Sequence, residues 1–426
     1  MKLSTKAKLK QFLTSMSVGF FLAVREIRRG NKWATLLIIA VMVLTFLNLV
    51  VISGVLVGLI EGSVTANRNK YTSDILVSSF KDRTYIERSN EIIKVLENLP
   101  EVEAFTPRYM ESGRLEANYK ISRKPSQLAN SVGALVSGIN PDLENTVTNL
   151  SKNLVEGEYL NANDYDKILV GANLLEKYLP IETPDFQTLR DVEAGSKVRL
   201  TINGYQREVT IKGVLKSKVN EVDQRIFMTD TQLRTLIGRT DYNIDEISIK
   251  LKDPAKSLAV VKILNGYGFD SYASIRSADD AQPKFLQDIK ATFAILGNVI
   301  STIGLAVASI TIFIVIFVNA ITRRRYIGIL KGIGIHSNAI EFSYMVQSLF
   351  YATTGMIIGA VIVFAVLKPF LDAHPINFPF SDGILVATVS GTMIRAGVLF
   401  FATMIAGYIP AKLVVRQNTL DAILGR

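Results

Sequence analysis

Residues able to carry chemistry are few in this 426-residue chain. Cysteine is absent, so there is no thiolate nucleophile, no thiolate metal site and no disulfide. The only histidines are His336 and His374, which removes histidine-based metal clusters and Ser-His-Asp triads from residues 61–292. Asp164, Asp166, Asp241 and Asp245 offer the makings of an acidic pocket, although a solvated surface is the commoner fate of such carboxylates. Val170-Gly171-Ala172, at a predicted strand-to-helix turn, could present amides to an anion, but a lone glycine turn is more often simple geometry. No Gly-x-x-x-x-Gly-Lys-Ser/Thr phosphate loop is present. The chain is therefore expected to bind or move something and not to catalyse, with no metal or cofactor of its own.

The elements that must hold these residues are dominated by four long apolar stretches, at 33–60, 293–321, 345–366 and 384–409. Each is long enough to cross about 30 Å of hydrocarbon at about 1.5 Å per helical residue. The reading is a four-helix membrane protein with a large hydrophilic insertion, 61–292, between the first two spans, and a short loop, 367–383, between the last two. Arg395 lies midway along the fourth span, where exposure to lipid would cost several kcal/mol. It should face the bundle interior, a subunit interface or water; a transport role and a structural partner both remain open. Gly54-x-x-x-Gly58 and Gly355-x-x-x-Gly359 supply small faces for close helix packing, within one chain or across a dimer seam.

Charge sets the expected topology. The segment before the first span, the loop 322–344 and the tail 410–426 together carry 15 basic and 3 acidic residues, whereas 61–290 carries 31 and 33. By the positive-inside rule both termini are cytoplasmic and the insertion is extracytoplasmic. The overall surplus of +10 then reflects topology and anionic lipid headgroups, with no need for a nucleic-acid partner. Within 1–32, Leu13, Met16, Phe20, Val24 and Ile27 recur at helical spacing beside a basic edge, which predicts an amphipathic helix on the inner membrane face in preference to a cleaved signal.

The insertion reads as α+β. Strands are predicted at 74–78, 167–171 and 247–251, and a hairpin joins 197–203 to 206–215 around Asn203-Gly204. Helices are predicted at 89–99, with Ser89 as cap, at 172–178 and at 257–267. Proline 125, 141, 180 and 184 mark loops, 181–192 an irregular insertion, and 155–250 a second lobe. Polar helical extensions are expected at 61–70 and 277–292.

The most specific motif is Arg323-Arg-Arg-Tyr-Ile-Gly-Ile-Leu-Lys-Gly-Ile-Gly-Ile-His336, continuing to Ile340. After Arg325, a short helix with Ile327, Leu330 and Ile333 would form an apolar knob, with Gly328, Gly332 and Gly334 permitting close approach or a tight exit turn. The alternative is that the arginines anchor topology and 327–340 packs beneath the bundle. The motif resembles the Arg-x-Glu-Ile-Gly-Ile-Leu-Lys-Ala-Leu-Gly-Ala-Ser segment after the second span of the macrolide-exporter, lipoprotein-release and FtsX-like family of ABC transporter permeases. Ile327, Gly328, Ile329, Leu330, Lys331, Gly334 and Ile340 match, while Tyr326, Gly332 and His336 stand where an acidic residue, Ala and Ser are usual. Ala23-Val-Arg-Glu-Ile-Arg-Arg29 and the stretch from Pro410 to Ile423 are similar to the family's entry and closing segments.

The resemblance implies a coupling helix, carrying Ile327, Gly328, Leu330, Lys331, Gly332, Ile333, Gly334 and His336, that docks on a separate cytoplasmic ATPase binding ATP and Mg. It further implies a homodimer or heterodimer in the inner membrane, with stalks transmitting motion to a periplasmic domain that expels a drug, peptide or lipoprotein, sometimes with a periplasmic adaptor. A non-transporting regulator of a cell-wall hydrolase and an ATPase-independent receptor are the alternatives.

Overall fold

The computed structural model describes residues 5–119, 129–179, 187–374, 376–378, 381–383 and 385–415. Helix α1 (Thr5–Arg29) is followed by α2 (Lys32–Thr72), which holds π-helical stretches at Asn48–Ile52 and Arg68–Thr72. Then come β1 (Ile75–Ser78), α3 (Ser89–Asn98), β2 (Val102–Glu116), β3 (Ser131–Ile139), α4 (Pro141–Thr148), β4 (Leu154–Gly157) and β5 (Lys167–Gly171). They are followed by β6 (Lys197–Ile202), β7 (Tyr205–Leu215), β8 (Arg225–Thr229), α5 (Asp230–Leu236), β9 (Glu246–Leu251), α6 (Ser257–Gly266) and β10 (Ser274–Ser277). Helices α7 (Lys284–Thr322), α8 (Arg324–Gly332), α9 (Ser337–Ala373) and α10 (Val389–Val415) follow. Two compact units result: a helical one of Met1–Leu59, Ile289–Ile376 and Gly383–Arg426, and an α+β one of Ile60–Asp288 with Asn377–Asp382.

In the helical unit α2, α7, α9 and α10 are long and apolar enough to cross a membrane. Helix α9 is the hub, packed by α1, α2 and α10. Small residues make that closeness attainable. A methyl at Gly355 would collide with Met42 and one at Gly359 with Phe46, so the glycine face of α9 receives α2 of the same chain. Gly19 of α1 lies against the Ala339 carbonyl, and Gly407 of α10 against Ser348. Gly58 is buried, and Gly54 is covered by Leu385 and Val386, whose amide donates to the Gly54 carbonyl at 3.1 Å. The seam between α2 and α7 uses other residues: Gly297 meets Leu56, Gly304 meets Asn48, and the Ser53 and Ser301 hydroxyls lie 3.1 Å apart. Across α7 from that seam, Val299, Ile303, Val307, Ile310 and Ile314 are exposed.

Arg395 is not midway along its helix. Because 385–388 are not helical and Leu385 and Val386 cover Gly54, α10 begins only at Val389 and Arg395 falls in its second turn. Its guanidinium reaches back towards Gly391, the direction in which a long cation snorkels to the interface.

The α+β unit is built on one continuous ladder. Strands β10, β1, β9 and β2 form an antiparallel sheet, and β2, β3, β8, β5, β7 and β6 close on themselves as a six-stranded barrel. The expected second lobe is thus no separate body: fifteen-residue β2 gives its first half to β9 and its second half to β3 and β6. Asn203 and Gly204 both take positive φ, 49° and 83°, as a type I′ hairpin turn requires.

Three local expectations need correction. Ser89 does not cap α3; Arg88 holds the cap position, and the Ser89 hydroxyl accepts instead from the Ile244 amide at 3.2 Å. Residues 172–178 form only a 3₁₀ turn at Ala172–Leu174, since Leu175 is pulled into a bridge with Leu189. The extension after the insertion starts at Lys284 and not at 277, because Ser277 belongs to a strand paired with Ile75 and Pro283 sets the helix start. Proline 125, proline 180 and 184, the first part of the 181–192 insertion and the closing segment from 416 lie outside the described residues.

Candidate functional site

Helix α8 is one residue removed from the end of the 39-residue α7, with Arg323 between them. Its nine residues divide into two faces. Ile327 and Leu330 are 3% and 9% exposed and join the core of the helical unit; Gly328 is buried beside them. Tyr326, Ile329 and the C-cap residue Ile333 stand at i, i+3 and i+7 on an adjoining face, with Ile329 47% and Ile333 71% exposed. Of the three residues expected to form an apolar knob, Ile327 and Leu330 are buried and Ile333 is exposed, with Tyr326 and Ile329 exposed near it.

The end of α8 explains the rest of the motif. Gly334 takes φ +94°, its amide donates to the Lys331 carbonyl at 3.0 Å, and the Ile335 amide donates to the Leu330 carbonyl at 3.0 Å. These are the two bonds of a Schellman stop, and Ile335 packs into the same core as Leu330. Two residues later His336 caps α9, its Nδ1 accepting from the Asn338 amide at 3.2 Å. A short side-chain acceptor is what an N-cap requires, so His336 fills the position that serine fills best. Lys331 Nζ donates to the Val415 carbonyl at the C-terminus of α10, at 3.0 Å. Glu26 of α1 pairs with Arg323. Gly332, Ile333, Gly334 and His336 are exposed.

The acidic residues do not meet in one pocket. Asp164 is buried and accepts from Lys167 Nζ at 2.9 Å and Lys212 Nζ at 2.6 Å. Burial opposes its charge, yet the bonds from Lys212, the Asn161 amide and Lys167 outweigh that and hold its carboxyl at about 2. Asp166 pairs with Arg207, while Asp241 and Asp245 share Arg239. Two of the four are therefore buried ion-pair partners and not solvated surface. Gly171 offers no anion cradle, because the Asp223 and Val222 carbonyls press on it.

A buried charge cluster escaped the sequence reading. Arg108 sits on β2 opposite Glu246 of β9 and Ile139 of β3, where the open sheet and the barrel share that strand. Its Nε and Nη2 donate to Glu144 at 2.9 and 2.7 Å, Nη2 also reaches the Tyr71 carbonyl at 2.8 Å, and Nη1 pairs with Glu246. Arg225 donates to the Tyr71 hydroxyl at 2.7 Å, and that hydroxyl donates to Glu246. Burial works against the Glu246 charge, but Arg108 and Arg225 hold its carboxyl below the usual range. Every charge is matched, the condition under which such a cluster is tolerated.

Residues 35–267 match the MacB-like periplasmic core domain, and 298–419 match the FtsX-like permease C-terminal family. The chain belongs to the MacB/LolC/FtsX type of ABC transporter permease. The permease is 25% identical over 224 residues to the macrolide export ATP-binding/permease protein MacB of Campylobacter jejuni, covering 50% of this chain and 33% of that one. It is 23% identical over 231 residues to the lipoprotein-releasing system transmembrane protein LolC of Neisseria meningitidis serogroup B, covering 54% and 55%. The crystal structure of the periplasmic region of MacB from Actinobacillus actinomycetemcomitans shares 15% identity over 50% of this chain and 92% of that one, with a TM-score of 0.34. The permease thus spans a third of the macrolide exporter's length and 55% of LolC's. It is a multi-pass membrane protein with its α+β domain between the first and second membrane helices.

Proposed function

We propose that this permease transmits ATP-driven motion from a separate cytoplasmic ATPase to its α+β domain, and so expels or hands over a drug, peptide or lipoprotein from the periplasm or outer leaflet. The observation that carries this reading is the division of α8: Ile327 and Leu330 key it into the helical unit while Ile329 and Ile333 are exposed on an adjoining face. An apolar face exposed on a helix so placed calls for a protein partner, and a push on it passes through the single residue Arg323 into α7. At about 1.5 Å per residue α7 is ~58 Å long, nearly twice the hydrocarbon thickness, and α2 is similarly overlong. ATP and Mg would be held by the ATPase, which docks from the cytoplasm together with both termini of this chain. The exposed face of α7 gives a second four-span subunit, identical or homologous, a surface on which to pack.

Tagged permease purified from native membranes in mild detergent should bring down a small ATPase, together with a lipoprotein or a periplasmic adaptor. Recovery of no ATPase while the dimer stays intact would reject the reading in favour of a receptor, and recovery of a cell-wall hydrolase would favour the regulator. A reporter inserted at 180–185 should read as extracytoplasmic in the inner membrane.

A further inference from the structure

Helices α1, α8 and α9 enclose a cleft of about 280 Å³ whose two walls differ in chemistry. One wall is apolar, from Leu22, Ile327, Leu330 and Ile340. The other carries Arg25 and Arg29, one helical turn apart on α1, together with the Glu26–Arg323 pair. Glu26 is occupied by Arg323, and neither Arg25 nor Arg29 pairs with a carboxylate among the described residues, so the cleft keeps two positive charges. At its base lie Ser343, Tyr344 and Gln347, all more than nine-tenths buried. The Tyr344 side chain, which lines the cleft, makes no hydrogen bond through its hydroxyl among the described residues. Two free guanidiniums, a waiting hydroxyl and an apolar wall together fit a phosphate diester that carries a hydrocarbon tail.

We propose that this cleft binds the phosphodiester headgroup of an anionic phospholipid, with Arg25 and Arg29 on the phosphate and Tyr344 donating to a headgroup oxygen. Guanidinium forks match phosphate oxygens in pairs, and basic pockets between membrane helices hold such headgroups. The exposed apolar residues of α1, Leu13, Phe20 and Phe21, give the acyl chains a surface to follow. The occupant touches Tyr326 and Leu330, so it joins the seating of α8 to lipid composition. Assignment of the lipid to the cytoplasmic leaflet rests on the topology proposed above, whereas binding in detergent does not depend on it.

The test is native mass spectrometry of the full chain in mild detergent with equal phosphatidylglycerol and phosphatidylcholine. Phosphatidylglycerol should be retained preferentially, and R25Q/R29Q should weaken that retention about tenfold, as loss of charge-assisted bonds predicts. Y344F, which removes one hydroxyl, should weaken it by a smaller factor, while R28Q, whose charge lies on α1 outside the cleft, should leave it unchanged. Equal retention by R25Q/R29Q, Y344F and wild type would overturn the site. An equal loss in R28Q would reduce the effect to general surface charge and overturn it too. Displacement of the lipid by millimolar inorganic phosphate would make free phosphate the ligand and reject the lipid assignment.

Discussion

Lys331 Nζ donates a 3.0 Å hydrogen bond to the carbonyl oxygen of Val415, fastening the short helix α8 to the C-terminal end of α10. A cation at a helix C-terminus also meets the negative end of the helix dipole. The lysine that the motif shares with its family therefore bonds within the helical unit, on the side of α8 away from the exposed Ile329 and Ile333.

That division separates two substitutions of adjacent residues. Ile329→Asp changes an exposed position and should alter stability by no more than about 0.5 kcal/mol, yet abolish stimulation of the partner ATPase. Leu330→Asp buries an unpaired charge and should unfold or strongly destabilise the helical unit. Thermal melts in detergent beside ATPase assays check both; normal stimulation with Ile329→Asp would remove the docking face from consideration.

Gly334→Ala forces a side chain into the left-handed region and should cost about 1–2 kcal/mol. At the neighbouring cap, His336→Ala should cost about 1 kcal/mol and His336→Ser should restore it. Thermal shift of the purified chain measures the three variants, and equal melting temperatures would show that this turn tolerates any sequence.

The cluster around Arg108 should behave as a buried pair. Glu144→Gln leaves the guanidinium undercompensated and should cost about 3–5 kcal/mol. Glu103→Gln, which breaks the exposed Lys250–Glu103 pair, should cost less than about 1 kcal/mol. Denaturant melts followed by a probe in the α+β unit give both numbers on one scale.

Asp164 sets a pH signature. Its carboxyl is held at about 2 in the folded protein, below its ordinary value of 3.8, so its contribution is complete above pH 4 and is lost as pH falls through 2. Asp164→Asn should therefore be less stable than wild type at pH 7, and the difference should shrink between pH 4 and 2. A gap independent of pH over that window would show that the Lys212 and Lys167 contacts do not stabilise the charged form.

What the chain's own order of residues determines is the plan: four apolar spans, a hydrophilic insertion after the first, and the motif after the second. These follow from hydropathy and local turn chemistry, which act over a few residues, and the same locality made the Asn203-Gly204 hairpin and the strands at 167–171 and 247–251 legible. Tertiary structure decided which side of each element is used. Gly355 and Gly359 look like any small pair until Met42 and Phe46 of the same chain lie on them, and Gly297, Ser301 and Gly304 form a seam no spacing rule singled out. Ile327 and Leu330 are indistinguishable by type from Ile329 and Ile333, and only packing against α9 and α10 buries one pair and exposes the other. Arg108, Glu144 and Glu246 are far apart along the chain, and their charges are matched only because β2 passes from the open sheet into the barrel at that residue. Pairing across such distances depends on register between strands, which a linear sequence does not carry.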